Sequence, residues 1–145
     1  MTIRETRQGD LKGLLELYAH LQKEGRLEPD MEAERVWRRI LREENHHILV
    51  AEEGGRILSS CVCVVVPNLT HGQRPYALVE NVVTHPDFRG RGLASACLVA
   101  ARELAARQGC YKIMLMTGSK RESTLRLYER AGYNRQDKTA FVQWL

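Results

Sequence analysis

Between positions 89 and 94 the sequence reads Arg89-Gly90-Arg91-Gly92-Leu93-Ala94, two glycines and two arginines at the mouth of an apolar-periodic run. A helix opened by glycines exposes backbone N–H groups that no carbonyl of the helix can reach, at the positive end of its dipole. Such a turn takes phosphate. Gly90 and Gly92 leave the approach clear of side chains, and Arg89 and Arg91 bring positive charge to the same mouth. The same residues could instead form a plain tight turn with two solvated arginines.

Two other phosphate motifs share a Gly-x-Gly. The third glycine of the dinucleotide fingerprint would fall at Ser95, and residues 113–117 offer no acidic side chain at their end for a ribose hydroxyl. The nucleotide loop needs Gly-Lys-Ser/Thr, where this chain has Arg91-Gly92-Leu93-Ala94. These residues therefore argue against a dehydrogenase or an NTPase. A net charge of +4 and a pI near 9.0 favour anionic ligands, a class that spans nucleic acid, acidic membranes and phosphorylated cofactors. Aromatics total 6% and no basic run is interleaved with them, so no nucleic-acid partner is expected.

Metal chemistry finds little support. Cys61 and Cys63 alternate within Cys61-Val62-Cys63-Val64-Val65-Val66, a buried-strand pattern without zinc-ligand spacing. His46 and His47, as strand neighbours, point to opposite faces and cannot grip one ion. Cys97 and Cys110 occupy apolar positions and read as reduced core thiols. No run approaches the roughly 20 apolar residues that span a bilayer, so a soluble, cytoplasmic protein without a membrane partner is expected.

The elements that must position the turn follow from periodicity. At 145 residues and 43% hydrophobic content, with no repeat or linker, residues 1–145 form one domain. Residues 2–7 alternate as an edge strand. Asp10 can cap a helix whose apolar face is Leu11, Leu14, Leu15, Tyr18 and Leu21, and a loop with Gly25 and Pro29 follows. Asp30 can cap a second helix to about Glu43, with Ala33, Val36, Trp37, Ile40 and Leu41 at helical spacing. Residues 48–52 and 57–66 read as strands joined by the hairpin Glu53-Gly54-Gly55-Arg56. A strand over 76–84 aims at the glycine turn, and a helix over 92–108 carries Leu93, Ala94, Cys97, Leu98, Ala101, Leu104 and Ala105 on one stripe before Gly109. A strand over 111–117, a helix over 122–131 stopped by Gly132, and a final pair of short strands within 133–145 complete the chain.

Beside the turn stand Val79-Glu80-Asn81-Val82-Val83-Thr84-His85-Pro86 upstream and Leu127-Tyr128-Glu129-Arg130-Ala131-Gly132-Tyr133 downstream. With them the sequence resembles the GNAT acetyltransferase superfamily, whose coenzyme motif Gln/Arg-x-x-Gly-x-Gly/Ala is matched by Arg89, Gly92 and Ala94. The resemblance covers residues 76–133; the earlier part agrees in element order. It implies an α+β fold, an α/β three-layer arrangement in which a mixed, mostly antiparallel sheet of six or seven strands is flanked by four helices, with splayed central strands. It also implies direct transfer of acetyl from acetyl-CoA, a co-substrate, to a primary amine of a small molecule or peptide in a ternary complex, without metal. Val82, Val83 and Thr84 would pair with the pantetheine arm, and the amides of Arg89, Gly90, Arg91, Gly92, Leu93 and Ala94 would hold the pyrophosphate. One residue departs from the pattern: Arg121 stands where many relatives have an Asn on the pantetheine. It could contact a CoA phosphate with Lys120 or Arg126, or be solvated.

Acyl transfer to an amine needs a neutral nucleophile, a stabilised oxyanion and a proton for the thiolate. By two-residue alternation Tyr76, Leu78, Glu80, Val82 and Thr84 share one strand face, so Glu80 would lie beside the coenzyme and take the ammonium proton; a salt bridge is the alternative. Splayed strands would free the N–H of Val82 or Val83 for the oxyanion. Relatives place a tyrosine hydroxyl near the CoA sulfur, which implies that Tyr128 protonates a thiolate whose conjugate acid has a pKa of roughly 8.5; packing is its other role. The resemblance places the acceptor pocket at residues 22–30, 69–75 and 136–141. Val79-Glu80-Asn81-Val82-Val83 and Gly109-Cys110-Tyr111-Lys112-Ile113 resemble glucosamine-6-phosphate N-acetyltransferases, which makes an amino-sugar phosphate the second acceptor class. A non-catalytic acyl-CoA sensor is another reading, in which Tyr128 or Glu80 would be buried in packing. A nucleic-acid reading would need Arg35, Arg38, Arg39 and Arg42 to form one patch. Homodimers are common among relatives, so a second copy is a candidate partner.

Overall fold

The computed structural model describes residues 1–22 and 28–145; the expected loop glycine, Gly25, and most of the expected acceptor stretch 22–30 lie outside them. The elements in chain order are β1 (Thr2–Glu5), α1 (Leu11–Tyr18), α2 (Met31–Arg42), β2 (His46–Glu53), β3 (Arg56–Val66), β4 (Tyr76–Thr84), α3 (Leu93–Arg107), β5 (Ile113–Leu115) and α4 (Glu122–Arg130). The strands form one sheet in the order β1-β2-β3-β4-β5, antiparallel except for the parallel β4–β5 pair that α3 connects. Among the described residues five strands stand where six or seven are expected. Residues 133–145 contribute none of the expected final pair.

Both sheet faces are covered, which makes β2 and β3 nearly continuous apolar runs. On one face Ala51, Cys63 and Val79 pack against Cys97, Leu98 and Ala101 of α3. On the other, Ile48, Val50 and Val62 meet Leu11 and Leu14 of α1 and Trp37 of α2. Gly54 and Gly55 make the β2–β3 hairpin at φ 58° and 77°, the left-handed pair that a two-residue turn requires. Asp30 caps α2 by accepting from the Ala33 N–H at 2.8 Å.

Some local expectations fail to tertiary competition. Asp10 makes no side-chain cap on α1. Its carboxylate instead takes the Arg4 guanidinium at 2.7 Å and the Arg7 N–H at 2.6 Å. Leu17, not Leu21, completes the buried α1 stripe, because the helix ends at Tyr18. In α2, Val36 and Leu41 stay exposed while Trp37 alone is buried, its indole N–H donating to the Gln8 carbonyl at 3.0 Å.

Arg4 bridges Asp10 and Glu52 from an edge strand, with 15% of its side chain exposed. Hydrogen bonds to its guanidinium, above all, hold the Asp10 carboxyl below the ordinary aspartate value. Arg4→Ala should therefore cost about 2 kcal/mol in urea unfolding, the range of charge-assisted hydrogen bonds. A depressed folded pKa gives stability that is present above the unfolded value and lost as pH falls through the folded one. The native advantage over Arg4→Ala should accordingly shrink on acidification below about pH 4; an unchanged gap there would assign it to packing.

Candidate active site

The centre of β4 departs from regular pleating. Ser60 pairs with Val83 and Val62 with Glu80, so Asn81 and Val82 together oppose Cys61 alone. Asn81 sits at φ 51°, within the left-handed region that asparagine tolerates better than most residues. This bulge resets the alternation of side chains. Glu80 keeps the face of its partner Val62, toward α1 and α2, whereas Val82 packs with the cluster on the α3 face. The expectation that Glu80 and Val82 share a face is therefore corrected, since one extra residue shifts every later side chain across the sheet.

The bulge also aims the backbone. His85 donates its N–H to the Leu58 carbonyl at 2.8 Å, and the Val83 carbonyl accepts from the Ser59 hydroxyl at 2.9 Å, so both residues face β3. By alternation the N–H and C=O of Val82 and Thr84 face the other way. On that side β5 has already ended: its pairing with β4 stops at Val79↔Leu115. The two strands thus fork, leaving Val82 and Thr84 as unpaired backbone groups along the gap, while Val83 is spent on β3.

The glycine turn lies immediately beyond. Gly90 and Gly92 adopt φ 75° and 76°, conformations that a Cβ disfavours, and Gly92 is the N-cap residue of α3. The amides of Gly90, Arg91 and Gly92 make no backbone hydrogen bond to a described residue. Those of Leu93 and Ala94, in the first turn of α3, have no carbonyl to reach within the helix. Five adjacent N–H groups with space around them suit a pyrophosphate. The arginines differ from expectation in part. Arg91 is drawn back to Glu53 at 3.0 Å and lies 5.4 Å over the Phe88 ring, so its charge is already matched. Arg89 is exposed, and its side chain pairs with no described residue. Arg121, N-cap residue of α4, is exposed as well, while Arg126 is held by Glu122 at 3.3 Å.

Tyr128 stands on α4, half-buried against the α3-face cluster and edge-on to Tyr133. Burial, and next the Cys61 thiol opposite the bulge, raise its phenol above the ordinary tyrosine value. The hydroxyl therefore keeps its proton, and it makes no hydrogen bond to a described side chain. Cys61 itself is a poor nucleophile: it is buried, its Sγ–H points to the Cys97 carbonyl at 3.5 Å, and desolvation pushes its pKa up.

On the opposite face, sequence reasoning missed a polar group. Tyr18, counted as an apolar helix position, places a buried hydroxyl beside Ser60 and Asn81, where burial pushes its pKa up to about 12. The Tyr18 and Ser60 hydroxyls both lack a well-formed hydrogen bond. The available signal was Asn81, a polar residue tolerant of left-handed backbone in the middle of an apolar strand. Arg35, Arg38, Arg39 and Arg42 do line one shallow groove of about 630 Å³ with Glu43, but Glu32 and Glu43 pair with two of them and nothing from the fork borders it.

Against known proteins, a family model described as Acetyltransferase (GNAT) family matches residues 11–133. The chain belongs to the GNAT acetyltransferase family. It is an acetyl-CoA-dependent N-acetyltransferase. The acetyltransferase is 31% identical over 137 residues to an acetyltransferase of Yersinia enterocolitica, covering 94% of this chain and 90% of that one. It is 33% identical over 84 residues to a glucosamine 6-phosphate N-acetyltransferase of Trypanosoma brucei brucei, an alignment spanning 58% of this chain and about half, 55%, of the relative. A solved structure from Agrobacterium tumefaciens superposes over 100% of both chains with TM-score 0.94 at 38% identity. The fold of the acetyltransferase is thus the family's, with a five-strand sheet.

Proposed function

We propose that acetyl passes directly from acetyl-CoA to a primary amine through the fork between β4 and β5. The observation that carries this reading is the continuation of β4 over residues 80–84 after β5 has ended at Leu115. In this arrangement the turn amides of residues 90–94 hold the pyrophosphate, the expected Arg89 amide being spent on the Pro86 carbonyl at 3.3 Å, and the backbone of Val82 and Thr84 pairs with the pantetheine arm. Val83, turned to β3, serves only to hold that strand. Arg89 and Arg121, which have no ion-pair partner among the described residues, supply cations for the terminal phosphates.

The amine arrives on the α1–α2 face. Its lone pair attacks the thioester carbonyl carbon, a C–N bond forms, and the Val82 N–H donates to the oxyanion. Glu80, exposed on the same face, takes the ammonium proton directly or through water. Collapse breaks the C–S bond, and Tyr128 on the other face gives its proton to the departing thiolate. A protonated, buried Cys61 supports direct transfer over an acyl-enzyme. An exposed Glu80 and an unpartnered Tyr128 hydroxyl favour catalysis over a sensor role. The acceptor is a small-molecule or peptide amine whose polar groups meet Tyr18, Ser60 and Asn81; the Trypanosoma relative favours an amino-sugar phosphate as the second reading. The proposed setting is the cytoplasm and the proposed assembly a homodimer; among the described residues no helix is long and apolar enough to cross a membrane.

The test pairs acetyl-CoA calorimetry with an amine screen that includes glucosamine 6-phosphate, following free thiol. With the amine so found, Glu80→Gln should lower kcat/KM about a hundredfold at neutral pH, the scale of one general base. The deficit should narrow as pH rises toward the amine's own pKa, where no base is needed. A constant deficit, or none, would remove Glu80 from that role.

A further inference from the structure

The peptide that joins Asn81 to Val82 carries the N–H that faces the fork, and because a peptide is planar its direction is set by the dihedrals of Asn81. Asn81 holds φ 51°, a conformation that asparagine reaches without preferring it. Contacts beyond the strand must keep it there. The α1–α2 side of the bulge supplies two hydroxyls. Ser60, on β3 opposite Val83, is fully buried, and Tyr18, the last residue of α1, packs its ring among the apolar residues of that face. Neither hydroxyl has a well-formed hydrogen bond among the described residues. Burial acts most on the Tyr18 phenol, and the Ser60 and Asn81 side chains lie close enough to act on it too. A phenylalanine and an alanine would fill the same space without two buried, unpaired donors, so the pair calls for a reason. The Asn81 side chain is the polar group beside them, and Asn81 is itself exposed.

We propose that Tyr18 is a positioning residue: together with Ser60, its hydroxyl holds the Asn81 side chain, and through the Asn81 dihedrals it keeps the Val82 N–H aimed at the oxyanion. This rests on the fork reading of catalysis. No bond forms or breaks at Tyr18. Its contribution is direction, and a misplacement of about 1 Å at a reacting centre can cost on the order of a hundredfold in rate.

The test is a cycle at two positions, read as kcat and both KM values with the amine found by the screen. Replacing Val82 by its α-hydroxy acid exchanges the N–H for an ester oxygen and should lower kcat a hundredfold or more, the scale of about 10²–10³ for one oxyanion donor. Tyr18→Phe should lower kcat about tenfold, a part of that scale. Its KM values, its acetyl-CoA affinity by calorimetry and its thermal melt should stay near native. In the ester background Tyr18→Phe should do nothing further, because the donor it aims is gone. Asn81→Gly keeps access to the left-handed backbone and loses the side chain, so it should match Tyr18→Phe in kcat. Native kcat in Tyr18→Phe or Asn81→Gly, beside a slow ester, overturns the positioning role and leaves the fork reading standing. An equal loss from Tyr18→Phe in both backgrounds also overturns it, as does a raised amine KM at native kcat, which makes Tyr18 an acceptor contact. Native kcat in the ester overturns the fork reading itself.

Discussion

Gly92→Asp should weaken acetyl-CoA binding by about a thousandfold while leaving the fold intact. A carboxylate about 4 Å from a phosphate charge costs roughly 4 kcal/mol at an effective dielectric of about 20, nearly three factors of ten at ~1.4 kcal/mol each. Because Gly92 is at φ 76°, any side chain adds backbone strain of about 1 kcal/mol. Gly92→Ala separates the two effects: its Cβ would meet nothing within 4 Å, so it carries the strain without the charge. Binding within about tenfold of native in Gly92→Ala, and its loss in Gly92→Asp, would locate the pyrophosphate at the turn. Calorimetry with thermal melts decides this, and native affinity in a folded Gly92→Asp would move the phosphate site elsewhere.

Tyr128→Phe should lower kcat by a hundredfold or more, on the scale of about 10²–10⁴ for a general acid, with acetyl-CoA affinity nearly unchanged. The phenylalanine keeps the ring that packs beside Tyr133 and removes only the hydroxyl. The pH profile adds a sign. Burial raises the Tyr128 pKa above 10.0, so native kcat should fall only as pH rises through that higher value, when the phenol loses its proton. In Tyr128→Phe this alkaline limb should vanish. A variant with native kcat and the same limb would leave Tyr128 as a packing residue.

Much of the scaffold was readable because local chemistry and tertiary need coincide there. The hairpin at Gly54-Gly55, the Asp30 cap, the boundaries of β4 and the α3 stripe all follow from turn residues, caps and period. Asp10 departs from the capping pattern because Arg4, brought against it by β1, outcompetes the helix amides for its carboxylate. Tyr18 looked apolar because periodicity reports the face a ring occupies and not where its hydroxyl ends.

The sequence by itself determined the family, the glycine turn and its free amides, since positive φ and helix starts are properties of adjacent residues. Tertiary structure alone decided which side of β4 each group serves. The two-for-one pairing at Asn81 depends on β3, and the fork depends on β5 ending at Leu115. One inserted residue reverses the faces of Glu80 and Val82, and no pattern of types along one strand records how its neighbours pair.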